Sequence, residues 1–205
     1  MFRLKSNKLK PAAQGFTLIE ILVSVAIFTM VVVVSVGGLV VILNANRKTQ
    51  SIATSVNNAF FATETMTRLM RTGYNYHCGT TGTLTLPLDC PSNYGSTDVY
   101  FTDDRGYFVH VFLQITGGVG TIMEEIDSTA KNGTAFDAAY PLTAVDFNVQ
   151  TLIFDVTGTI PESSGSADHA QPKTTITLYG IANANNVERA PLSLQTTVTQ
   201  RLLDL

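Results

Sequence analysis

His77 stands directly before Cys78, and a thiolate beside an imidazole becomes an activated nucleophile when a third group orients the base. The sequence offers no such third group. His77, His110 and His169 lack the spacing of metal ligands, and His110 falls among apolar residues, where a satisfied or outward-facing ring is the ordinary case. Gly117-Gly118-Val119-Gly120 has the glycines of a phosphate loop without the Lys-Ser/Thr that must follow, so it reads as a turn. Asp98, Asp103 and Asp104, or Glu124, Glu125 and Asp127, supply the oxygen donors calcium prefers, but neither group has the loop spacing of a calcium site. These residues predict no enzyme, no metal and no cofactor. Glu20 is different: it is the single ionisable side chain between Phe16 and Leu43. A carboxylate within a membrane span costs about 2.5–3.5 kcal/mol on insertion scales, so it calls for a function and a partner.

The elements that position Glu20 emerge from composition. The chain has 205 residues, 45% hydrophobic and only 14% charged, against about 25% charged in an ordinary soluble domain. That balance argues against a basic nucleic-acid binder or a charged disordered chain. The apolar excess is concentrated in FTLIEILVSVAIFTMVVVVSVGGLVVIL, residues 16–43. As a helix this run rises about 42 Å, more than the ~30 Å hydrocarbon core requires. Ahead of it lie Arg3, Lys5, Lys8 and Lys10 with no acid, and beyond it come Arg47 and Lys48, so the basic bias predicts an amino terminus retained in the cytoplasm and a head outside. A secretory signal is shorter, and Gly38 and Ala45 give no convincing cleavage site.

Gly15-Phe16-Thr17-Leu18-Ile19-Glu20, after a short basic leader and opening an unbroken apolar run, resembles the start of a type IV prepilin or type II secretion pseudopilin. The resemblance covers residues 1 to about 72. It implies cleavage by a membrane-embedded prepilin peptidase between Gly15 and Phe16, N-methylation of Phe16, anchoring in membrane lipid, and delivery by an inner-membrane assembly platform into a filament of pilin-like subunits. Glycine leaves the backbone free to enter a narrow protease cleft extended. Glu20 would then answer the new amine of a neighbouring subunit. A buried ion pair need not stabilise, but leaving one partner alone costs about 3–5 kcal/mol, so the pair serves to check register. Gln14 stands where many members carry Lys or Arg. By the same resemblance Gly37 and Gly38 are candidates for a helix hinge; close helix packing through small residues is the other reading.

No Pro or Gly interrupts the pattern from Leu43 until Gly73. Ile52, Val56, Ala59, Thr63, Met66 and Met70, with Phe60 beside them, form one apolar stripe of an amphipathic continuation over residues 44–72. Glu64 and Arg68 have the spacing of a surface pair. From Gly73 the period becomes two, with strands expected at Val99–Phe101, Tyr107–Ile115, Thr121–Ile126, Val145–Val156, Thr174–Ile181 and Leu192–Val198. Turns are expected at Asp104-Arg105-Gly106, at Gly117-Gly118 and between Pro161 and Pro172, with 162–168 a mobile loop. The expected fold is α+β: a long helix, transmembrane then amphipathic, laid on an antiparallel sheet head spanning 73–205. Cys78 and Cys90 lie in the connection between helix and sheet; outside the cell a disulfide is favoured over free thiols there.

Residues 44–71 carry a net charge of +3, and residues 72–205, with five basic and fourteen acidic side chains, a net of −9. An acidic head predicts no specific nucleic-acid partner and suggests that heads meet the basic stalks of neighbours, setting register more than affinity. The function expected is that of a pilin or pseudopilin precursor. A minor subunit at the filament tip is the nearer alternative, and a single-pass anchored enzyme or sensor the more distant one.

Overall fold

The computed structural model describes residues 15–91, 94–160, 170–184 and 188–201. The basic leader, the loop expected at 162–168, and His169 lie outside the described residues. The chain divides into two compact units, Met1–Arg47 and Lys48–Leu205.

Helix α1 runs Leu18–Thr72, 55 residues. Thr17 starts it: its carbonyl accepts from Ile21 N–H (3.2 Å) and its hydroxyl from Glu20 N–H (3.3 Å), satisfying donors that the first turn otherwise leaves unpaired. The helix closes where Gly73 N–H reaches the Leu69 carbonyl. Its first half buries nothing within the chain. Its second half buries Ser55, Ala59, Ala62, Met66 and Met70, the spacing of one helical face.

Among the described residues the head holds eight strands in two antiparallel sheets. The first has order β1 (Tyr74–Cys78), β2 (Asp98–Thr102), β3 (Phe108–Thr116), β4 (Val119–Asp127), β5 (Tyr140–Pro141). The second has order β6 (Phe147–Thr157), β7 (Lys173–Ala184), β8 (Glu188–Thr199). The alternation legible in the sequence is the observed burial: Phe147, Val149, Leu152, Phe154 and Val156 of β6 are buried, as are Ile176 and Leu178 of β7. With Val99, Phe101, Val109, Val111 and Ile122 of the first sheet and Met66 and Met70 of the helix they form one core. The β3–β4 hairpin turns on Gly117 and Gly118, both at positive φ (60° and 81°), the conformation a two-residue hairpin turn demands. Gly120 lets β4 press on β6, because a Cβ there would overlap the Val149 carbonyl, and its N–H donates to Asn148 Oδ1 (2.8 Å).

Three expectations are corrected. The head has two sheets, and strands β1 and β5 were not anticipated. Phe60 is 53% exposed and lies off the packed stripe, where Ser55 and Ala62 stand instead; the helix approaches the sheets through small residues and methionines. Glu64 and Arg68 are both exposed and form no ion pair with each other.

Candidate assembly site

Gly15 and Phe16 precede the helix in open backbone, and Phe16 is 77% exposed. Four residues on, Glu20 sits in the first helical turn, where a negative charge favours the helix dipole. Among the described residues no cation pairs with its carboxylate. Around it Leu18, Ile19, Ile21, Leu22 and Val23 are all at least half exposed. This apolar exposure continues to Leu43, and the helix is long and apolar enough to cross a membrane.

Gly37 and Gly38 lie within unbroken helix, and a Cβ on either would meet nothing of this chain within 4 Å. Neither is required by packing inside the subunit. One turn earlier the Ser35 hydroxyl donates back to the Val31 carbonyl (2.7 Å), a bond that competes with the backbone ladder and favours bending.

The other candidates for chemistry prove structural. Cys78 and Cys90 are joined, with 5.1 Å between their Cα atoms, so no thiol nucleophile exists at His77–Cys78. The buried His77 ring instead faces two carbonyls, Leu86 O from Nδ1 (2.7 Å) and Thr81 O from Nε2 (2.8 Å), and stitches the loop that the disulfide closes. That loop then runs along β6. Cys90 N–H donates to Val156 O, Ser96 and Phe154 exchange both backbone bonds, and Asp89 accepts from Gly158 and Thr159 N–H. The bridge thereby fastens the edge of one sheet to the edge of the other.

Neither acidic group comes together as a cluster among the described residues. One member of each clasps His110: Asp98 Oδ1 lies 3.1 Å from Nε2 and Glu125 Oε1 2.8 Å from Nδ1. Tyr100 and Phe112 stack on the ring at centroid distances of 4.0 and 4.4 Å. The His110 hydrogen bond holds the Asp98 carboxyl below its ordinary range against the opposing effect of burial. Burial, then the charges of Asp98 and Glu125, push the Tyr100 phenol up to about 12. Asp103 pairs with Arg105 (2.7 Å). Asp127 accepts from the N–H groups of Ala130, Asn132, Gly133 and Ala135 and folds the loop after β4; burial alone would raise its carboxyl, but these bonds prevail and hold it far below the usual carboxylate range.

Sequence reasoning did not find the contact between the helix and the β5–β6 connection. Asp146 accepts from Ser55 Oγ (3.2 Å) and Asn58 Nδ2 (3.0 Å), and Ser55 also donates to the Asp146 carbonyl. The interruption of the helical stripe by polar Ser55 was the available signal.

The exposed first half of the helix, which carries Glu20, is the part of the chain that resembles a known family of proteins. Residues 10–42 match the family described as the prokaryotic N-terminal methylation motif. The chain carries the pilin and pseudopilin signature. No curated protein and no solved structure matches it. Residues 15–42 of the match are exposed throughout, and the long helix packed on an antiparallel head is a pilin-like arrangement. The signature is that of a structural subunit, supports membrane anchoring before a place in a surface filament, and implies a prepilin peptidase and other pilin subunits as partners.

Proposed function

We propose that this protein is a filament subunit of a type IV pilus-like or type II secretion system. A prepilin peptidase cuts it after Gly15, methylates Phe16 and frees a chain held in the membrane by residues 16–43, amino terminus in the cytoplasm and head outside. Residues 44–72 continue the helix and 73–205 form the extracytoplasmic head. The observation that carries this reading is the coincidence of the methylation motif with a helix half that is apolar on every side and wholly unburied. Leaving so much apolar surface in water costs about 25 cal/mol per Å², so lipid before assembly and neighbouring helices afterwards are its natural surroundings.

Glu20 is the register check: a correctly stepped neighbour offers its amine, and a misstepped one leaves a buried charge alone at a cost of about 3–5 kcal/mol. Gly37 and Gly38 are the hinge, a reading supported by their place deep in the helix, where a Cβ would meet no described atom within 4 Å. Mass spectrometry of the mature chain in cells with an active prepilin peptidase is expected to show an N-methylated Phe16 terminus; a chain still beginning at Met1 would overturn the reading. Acidic heads against basic stalks add a weaker register term, so changing Arg47, Lys48, Arg68 and Arg71 together to Gln is expected to reduce filament yield, and unchanged yield would remove that term.

A further inference from the structure

His110 stands in the middle of the first sheet, opposite Tyr100 of β2 and Glu125 of β4. Its ring is buried, and both ring nitrogens face carboxylates, Asp98 from β2 at Nε2 and Glu125 from β4 at Nδ1. A neutral imidazole has one N–H and one lone pair, and an ionised carboxylate can only accept. With a single ring proton, one of these two contacts would set a lone pair against an anion. With two, both become charge-assisted hydrogen bonds. The hydrogen bond from His110 holds the Asp98 carboxyl below its ordinary range, which makes Asp98 the acceptor. Among the described residues no other cation pairs with Asp98 or Glu125.

The neighbouring rings favour the same state. Tyr100 and Phe112 stack on His110 nearly parallel, at 8° and 16°, and an aromatic face attracts a cation within about 6 Å of its centroid. Phe136, from the loop after β4, adds a ring 5.8 Å from His110 and also meets Tyr100 and Phe108. Asp127 ties the start of that loop through its N–H groups, so the far end of the loop rests on the His110 cluster.

We propose that His110 carries a proton on both ring nitrogens in the folded head, and that this buried cation pins β2 to β4 and holds the Phe136 loop over the first sheet as a latch that loosens when pH rises. While the ring is charged, both carboxylates are drawn to it. Once the folded ring gives up one proton, a lone pair meets an anion, and the stabilisation present at lower pH is lost as pH rises. Tyr100, whose phenol is pushed up to about 12, keeps its proton through that change. His77 lies edge-on to Tyr100 at 6.3 Å and faces two uncharged carbonyls. The inference rests on the head alone and stands apart from the role of Phe16 and Glu20.

The test labels the histidine rings of the full chain with nitrogen-15 in detergent micelles and reads by NMR whether each nitrogen carries hydrogen, with His110 assigned by the signals lost in His110→Gln. Both His110 nitrogens are expected to be protonated at about pH 7. Asp98→Asn combined with Glu125→Gln keeps the shape and an acceptor oxygen at each site and adds amide donors able to meet a ring lone pair. In that variant one His110 nitrogen is expected to be bare at the same pH, with the His77 signals unmoved. Hydrogen-exchange protection over 128–137, corrected for intrinsic rates, is expected to be lost in the wild type between about pH 7 and about pH 9 and retained in the double variant. A singly protonated ring in the wild type at the lower pH overturns the proposal, whether or not a proton sits on Glu125 instead. So does a ring that stays doubly protonated in the double variant, or loop protection that does not change across the window. Should the double variant fail to fold, the wild-type spectrum and its loop protection decide by themselves.

Discussion

Helix residues 18–43 and the head strands both draw on valine, isoleucine, leucine and phenylalanine, but dispose of them in opposite ways. Phe154, Leu152 and Val149 reach the core by alternation, one face in and one face out, and are buried by the chain itself. Val31 to Val34 are consecutive, so they circle the helix, and each stays exposed. Among the described residues the head buries its own apolar faces, whereas nothing covers helix residues 18–43. Polar groups follow a related division: the carboxylates of Asp98 and Asp127 find partners within the head and that of Asp146 finds donors on the second half of the helix, whereas Glu20 pairs with no cation among the described residues.

Several measurements can break or sharpen this contrast. Glu20→Ala should have the largest effect on assembly, with processing intact, filament content down by at least about tenfold, and the thermal midpoint of the head unmoved; normal filament content would refute the register role. Phe154→Ala should do the reverse, costing the head about 3–5 kcal/mol in denaturant unfolding while cleavage after Gly15 persists. Replacing Cys78 and Cys90 by Ser should cost about 3 kcal/mol, read as a lower midpoint, because the bridge also fixes the arm along β6. Asn58→Ala should cost about 1–2 kcal/mol, a value confined to the head because Asp146 retains Ser55.

Acid provides the smallest and most general contrast. Asp98 and Asp127 titrate lower in the folded chain than in an unfolded one. Their stabilisation is thus fully present above the unfolded carboxylate value of about 4 and is lost as pH falls through their lower folded values. Head unfolding followed by circular dichroism is expected to set in below about pH 4, and Asp127→Asn should flatten that dependence.

Much of this was legible in the sequence where one periodicity ruled a long segment. Leu192, Leu194, Thr196 and Val198 alternate cleanly and form the strand they announce, and the apolar run and its Glu20 are conspicuous in one dimension. Strand β1 was not legible because it follows the helix directly, is only five residues long, and is broken in register around Asn75, whose φ is +55°. Phe60 is apolar yet stays outside the packed stripe, because close approach to a sheet favours the small Ala59 and Ala62. The His110 clasp was hidden because Asp98 and Glu125 belong to different acidic groups of the sequence, and only the register of β2, β3 and β4 brings them to one ring.

The Asp146 clasp has a consequence for timing. It joins the helix to a residue 91 positions later in the chain, and the Ser96–Phe154 pairing likewise joins residues far apart in the chain. Contacts of such separation require a large loop to close before they yield any stabilisation, so they form late and slowly. The stem can be helical and anchored as soon as it is made, but the head can dock on it only after β6 has been synthesised. Strand β8 follows later still, so the second sheet is the last part of the head to be completed.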